Sequence, residues 1–131
     1  MAFIEKVKEK YLLRTIQILA GAIFFLPFFS HSKFYFPFIS ARNFAFRILV
    51  ELMVLCYIIL VIQNQKFLPK KNIVWILYLF FILSLTLSSI FGGDFLYSLW
   101  SNFERMDGLI GLYHIFAFFF VLYCVFKERK T

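Results

Sequence analysis

Two runs of nineteen residues, 73–91 and 108–126, carry no formal charge, and they constrain this chain more than any other feature. A bilayer core is about 30 Å thick and takes about 20 helical residues to cross at 1.5 Å each. Two more stretches approach that length: 12–29, uncharged from Thr15 onward, and 43–62, which carries Arg47 and Glu51. The expected fold is therefore all-α and integral to a membrane, with four transmembrane helices at about 12–29, 43–62, 73–91 and 108–126. Pro27 is expected to bend or end the first helix, and the second is expected to begin only after Pro37.

The composition agrees. Hydrophobic residues make up 63% and charged residues 16% of the 131, against about 45–50% and about 25% in soluble domains. Mean hydropathy is +0.84. A soluble fold of this size has no interior large enough for that apolar surface, 21 phenylalanines included. These values exclude a disordered chain, a coiled coil and a soluble enzyme domain. The phenylalanines are expected to serve as lipid-facing and packing material.

Charge distribution gives the orientation. Basic residues outnumber acidic ones by 14 to 7, but they sit in short clusters between apolar runs, so they do not form a nucleic-acid-binding face. Ten fall on one side: Lys6, Lys8, Lys10 and Arg14 before the first helix; Lys66, Lys70 and Lys71 between the second and third; Lys127, Arg129 and Lys130 after the fourth. Four fall on the other: Lys33, Arg42, Arg47 and Arg105. The positive-inside rule then places both termini in the cytoplasm. A basic start followed by an apolar run also suits a secretory leader, but no Ala-x-Ala-like site follows, and a retained first helix is the expectation. The aromatic segment 34–39 is too short to span and is expected in the outer interface.

With that topology, the polar residues inside the spans share one depth. At 1.5 Å per residue, Arg47 and Glu51 lie about 6 and 12 Å below Asn43, and His114 about 9 Å below Gly108. Thr86, Ser88 and Ser89 reach the same outer half, and Gln17 near the inner end of the first helix is the exception. Each residue also has a structural role open to it. Arg47 and Glu51, four apart, can pair on one helical face, and Arg47 can extend to the headgroups. His114 can hydrogen-bond between helices; Ser84 and Ser88 can form a small-residue packing face, and Gly108 and Gly111 a close helix approach. In the 91–107 loop, Gly92 and Gly93 supply backbone freedom, and Trp100 suits the interface. Arg105 either binds a phosphate or carboxylate with its planar fork or pairs with Asp107, Glu104 or Asp94. Asp107 suits the N-cap of the last helix.

No motif for soluble catalysis, cofactor binding or metal binding is present. His31 and His114 do not make a metal site, and Cys56 and Cys124, both in apolar runs, are expected as buried small side chains. Glu51 is the only carboxylate within a span, which argues against a proton pump.

Two stretches resemble the N-terminal part of bacterial O-antigen ligase and polymerase-like membrane proteins. One is Phe36-Pro37-Phe38-Ile39-Ser40-Ala41-Arg42-Asn43-Phe44-Ala45-Phe46-Arg47-Ile48-Leu49-Val50-Glu51. The other is Ser98-Leu99-Trp100-Ser101-Asn102-Phe103-Glu104-Arg105-Met106-Asp107-Gly108-Leu109-Ile110. The family pattern has Gly after the Trp and Tyr before the Glu, where this chain has Ser101 and Phe103. The resemblance implies a multi-pass glycosyltransferase of the bacterial inner (plasma) membrane, acting in cell-envelope polysaccharide and lipopolysaccharide biosynthesis. Such proteins transfer or polymerise polyprenyl-diphosphate-linked glycans at the outer face. It implies that residues 1–131 are one transmembrane region, the N-terminal part of a larger multi-span protein, with further transmembrane helices as neighbours. The family's catalytic arginines and histidines lie in a large external loop beyond the fourth helix, so no catalytic residue carries over. A candidate lipid-diphosphate or structural polar cluster remains: Arg47, Glu51, Arg105, Asp107 and His114. The alternative is a small complete four-helix membrane protein acting as a non-catalytic assembly or partner subunit.

Overall fold

The structure, a computed structural model, describes residues 2–28, 40–69, 72–102 and 108–128. Five α-helices carry the fold: α1 (Ala2–Phe25), α2 (Ser40–Gln63), α3 (Ile73–Phe91), α4 (Phe95–Trp100) and α5 (Leu109–Glu128). No strand occurs among the described residues. Four helical stretches are long and apolar enough to cross a membrane: Lys8–Phe28, Ser40–Gln63, Ile73–Phe91 and Leu109–Phe126. The segment 34–39 lies outside the described residues.

The boundaries follow local chemistry. α3 begins and ends at the expected residues because Asn72 caps its start, accepting from the Val74 N–H at 3.3 Å. α1 starts ten residues earlier than expected, because 2–11 is rich in Lys and Glu, good helix formers that extend the helix beyond the apolar run. It ends at Phe25, where Pro27 enters a 3-10 turn at Leu26–Phe28. α2 begins at Ser40, three residues earlier than expected. α4 was not expected at all; it interrupts the stretch 91–107, which the sequence suggests is a loop. Gly92 closes α3, its N–H donating to the Ser88 carbonyl at 2.9 Å, with an extended backbone that needs no glycine.

In space the long helices run in the order α1, α2, α5, α3, and α4 packs on α3 and α5. Along α2 the buried residues Arg47, Val50, Met53, Tyr57 and Leu60 recur every three or four positions, forming one seam. The lower part of that seam joins Ile16 and Ala20 of α1 and Val121, Cys124 and Val125 of α5 in the core. The outward surfaces are as apolar as the interior. Ile48, Leu52, Leu55, Ile58 and Ile62 of α2 are exposed, and α3 buries only Ile82. Between helices in lipid, close packing and polar contacts supply the association in place of the hydrophobic effect. The α3–α5 seam is aromatic: Tyr78 meets Phe116 and Phe119 at centroid distances of 5.2 and 5.9 Å, and Trp75 meets Phe120 at 5.9 Å. Such edge-to-face pairs contribute about 0.5–1.5 kcal/mol each. Phenylalanines thus divide between packing and the exposed surface, where Phe24, Phe25, Phe80 and Phe91 lie. Ser84 and Ser88 are exposed, so they do not form a packing face within this bundle. Cys56 and Cys124 are both free thiols.

The end holding the α2–α3 connection is closed by polar ties. Tyr57 Oη donates to the Phe67 carbonyl at 2.9 Å, and Asn64 Nδ2 donates to Glu9 Oε2 at 3.0 Å. Lys66 Nζ pairs with the other carboxylate oxygen of Glu9. These contacts fasten α1 to the turn that follows α2.

Candidate polar site at the α4 end

The opposite end contains Arg47, Glu51 and His114, the polar groups expected within the second and fourth spans. Arg47, about two turns into α2, is 8% exposed. Its guanidinium carbon lies 5.7 Å from the centroid of the Trp100 ring. A desolvated cation over an indole is attracted by about 2 kcal/mol or more. Two backbone features hold Trp100 there. Ser101 adopts φ 61 and ψ −161, which turns the chain sharply out of α4. Gly108 then brings the start of α5 against the end of α4: a Cβ at that position would collide with the Leu99 carbonyl and with the Trp100 backbone. The expected close approach is therefore made by Gly108, whereas Gly111 has open space around it.

One turn beyond Arg47, Glu51 Oε1 lies 3.3 Å from His114 Nε2 on α5. The other ring nitrogen, Nδ1, is 2.7 Å from the Ile110 carbonyl oxygen. A carbonyl only accepts, so Nδ1 carries a hydrogen. The Nε2–Oε1 contact joins α2 to α5. Beside it, Thr86 Oγ1 donates to the Ile82 carbonyl at 2.7 Å and lies 2.7 Å from Tyr113 Oη. The threonine proton being used, the tyrosine is the donor. This link ties α3 to α5.

The arrangement corrects two expectations. Arg47 and Glu51 do not act as a pair along one helix; each takes a partner from another element, Trp100 and His114. Nor is Glu51 confined to the outer half. It is the twelfth of the 24 residues of α2, about 16 Å from one end and about 18 Å from the other. Its side chain is 69% exposed, at the edge of a shallow groove of about 380 Å³ between α2 and α5, lined mainly by Val54, Leu55, Ile58 and Ala117. Arg105 and Asp107 lie outside the described residues, and with them the pairing of Arg105 and the expected N-cap. Sequence reasoning missed Tyr113 and the service of Trp100 to Arg47; the one signal for Tyr113 was a hydroxyl beside His114 in an apolar run.

Chemically, the site offers a buried guanidinium, a carboxylate facing an imidazole, and a groove for an apolar chain. No family model, curated protein or solved structure matches the chain.

Proposed function

We propose that the chain is the N-terminal membrane segment of an O-antigen ligase-like glycosyltransferase, one that transfers or polymerises polyprenyl-diphosphate-linked glycans at the outer face of the bacterial plasma membrane. The observation that supports this reading is the meeting of the two stretches that carry the resemblance. They lie about fifty residues apart in sequence, and Arg47 of the first contacts Trp100 of the second. Ser101 adds to it. Its backbone lies in a region open almost only to glycine, and glycine is what the family pattern has there. In this reading Arg47, together with Arg105, neutralises the lipid diphosphate, and the groove between α2 and α5 takes part of the polyprenyl chain. Catalysis belongs to a loop elsewhere in the protein.

Deleting the gene tests the proposal. The deletion strain should accumulate polyprenyl-diphosphate-linked glycan and lose the corresponding surface polysaccharide. Unchanged surface glycan and lipid-linked pool would refute it.

The second reading, a non-catalytic partner subunit, draws on α3 and Glu51. A span that buries only Ile82 and a largely exposed carboxylate at mid-helix both suit contact with further helices. Co-purification of a second multi-span protein, lost on Glu51→Leu but with glycan pools normal, would favour it.

A further inference from the structure

The end opposite the polar site holds a second cavity, of about 400 Å³, between α1, the turn after α2 and the end of α5. Lys10, Leu13, Arg14 and Gln17 line it from α1; their spacing of three, four and seven residues puts them on one helical face. Lys66 and Phe67 close the other side. Three cations thus surround one space. Glu9, the one carboxylate among the described lining residues, is already engaged by Lys66 and Asn64. Neither Lys10 nor Arg14 forms an ion pair among the described residues.

We propose that this cavity is a binding site for the phosphate headgroup of an anionic membrane lipid. Its level in the fold selects a lipid. Arg14 immediately precedes the uncharged run of α1, and Lys66 lies three residues after the last residue of α2. The cations therefore sit at the headgroup boundary of the spans. Leu13 and Phe67 give the cavity apolar walls on the side of the bilayer core, where acyl chains run. Basic pockets between spanning helices, on the side rich in positive charge, take anionic headgroups, and each Lys or Arg near the surface contributes about fivefold in affinity. Arg14 and Lys10 supply the charge, Gln17 a neutral donor one turn deeper, and Glu9 sets an upper limit by holding Lys66.

The test uses the full chain in neutral detergent, with bound lipids counted by native mass spectrometry. Phosphatidylglycerol should bind in preference to phosphatidylcholine. Lys10→Gln with Arg14→Gln should weaken phosphatidylglycerol about 25-fold and leave phosphatidylcholine unchanged. Lys8→Gln, on the same helix but outside the cavity lining, should change neither. Glu9→Gln, which releases Lys66, should tighten phosphatidylglycerol about fivefold. That opposite sign decides the matter even where the double variant is unstable. Equal weakening by Lys8→Gln would reduce the effect to diffuse charge, and no tightening by Glu9→Gln would overturn the site. Full displacement of the lipid by inorganic phosphate would make it a site for a soluble anion, and preference for an acidic peptide over phosphatidylglycerol would make it a protein contact. Either result overturns the proposal.

Discussion

The two halves of this bundle hold helices long and apolar enough to span a membrane together by different means. In the half that holds the α2–α3 connection, Ile16, Met53, Leu60 and Val121 are almost wholly buried against one another. Tyr57, Asn64, Lys66 and Glu9 are engaged there in ties among α1, α2 and the turn after α2. In the α4 half, side chains interlock through polar contacts of mixed quality, and one partner, Glu51, stays largely exposed. The first half keeps its spare charge, Lys10 and Arg14, at the rim, beside a cavity at the helix ends; the second keeps it at mid-helix, in Glu51. Protein that serves only to fold tends to be fully satisfied, whereas intramembrane ionisable groups with open positions mark sites of function or further contact.

The largest expected effect sets the two halves directly against each other. Leu60 is fully buried, and Leu55, five residues earlier on α2, is 57% exposed. Leu60→Ala should cost about 2 kcal/mol, the lower end of the range for a cavity, because the unfolded helix keeps its contact with lipid tails. Leu55→Ala should cost less than about 0.5 kcal/mol. Reversible unfolding in mixed micelles measures both, and equal costs would mean that the dry core contributes nothing special.

Gly108→Ala probes the junction of α4 and α5. The added methyl meets backbone, which has no rotamer to yield, so the end of α4 must move. The expected cost is about 1–2 kcal/mol, the lower part of the range for overpacking, together with a change in Trp100 emission as its contact with Arg47 is altered. Unchanged stability and emission would show that the two segments are not in close contact.

Much of this was legible in the sequence, for reasons that particular residues make plain. α3 reads to the residue because a long uncharged run abuts Asn72, a capping side chain, and ends at Gly92. The first ten residues of α1 are less visible, since apolar runs mark membrane depth and say nothing about where a helix continues into water. α4 is invisible because six residues are too few to show a period, and Asp94 before it makes no capping bond. At the polar site, the residue types of Arg47, Glu51 and His114 are readable, but their partners are not. Four-residue spacing suggests Arg47 with Glu51, whereas the helix order α1, α2, α5, α3 carries Glu51 to His114, and that order is a tertiary property.

Tyr57→Phe removes a hydrogen bond inside the dry half. The Phe67 carbonyl would then be buried without its donor, so the cost should be about 1 kcal/mol, toward the upper part of the range for hydroxyls between membrane helices. An effect indistinguishable from zero in the same micelle titration would mean that water reaches Phe67. Ser101→Gly should act in the opposite direction. It relieves a side chain held at φ 61, and the gain should be about 1 kcal/mol after the entropic cost of glycine in the unfolded chain. Destabilisation by Ser101→Gly would mean that the serine hydroxyl, rather than the backbone, decides this turn.

The smallest expected effect sharpens the comparison most, because it repeats the Tyr57 experiment in the other half. Tyr113 Oη donates to Thr86 Oγ1, whose own proton goes to the Ile82 carbonyl. Tyr113→Phe therefore leaves no donor stranded and no carbonyl newly exposed, and Thr86 loses only an optional contact. The cost should be about 0.5 kcal/mol, near the average for such bonds. Combining Tyr113→Phe with Thr86→Val should cost no more than the sum of the single changes less that pair energy. If Tyr113→Phe instead costs more than Tyr57→Phe, the α4 half is the better tied of the two. Glu51 would then be an exposed group on a rigid frame, not part of a region still open to a partner.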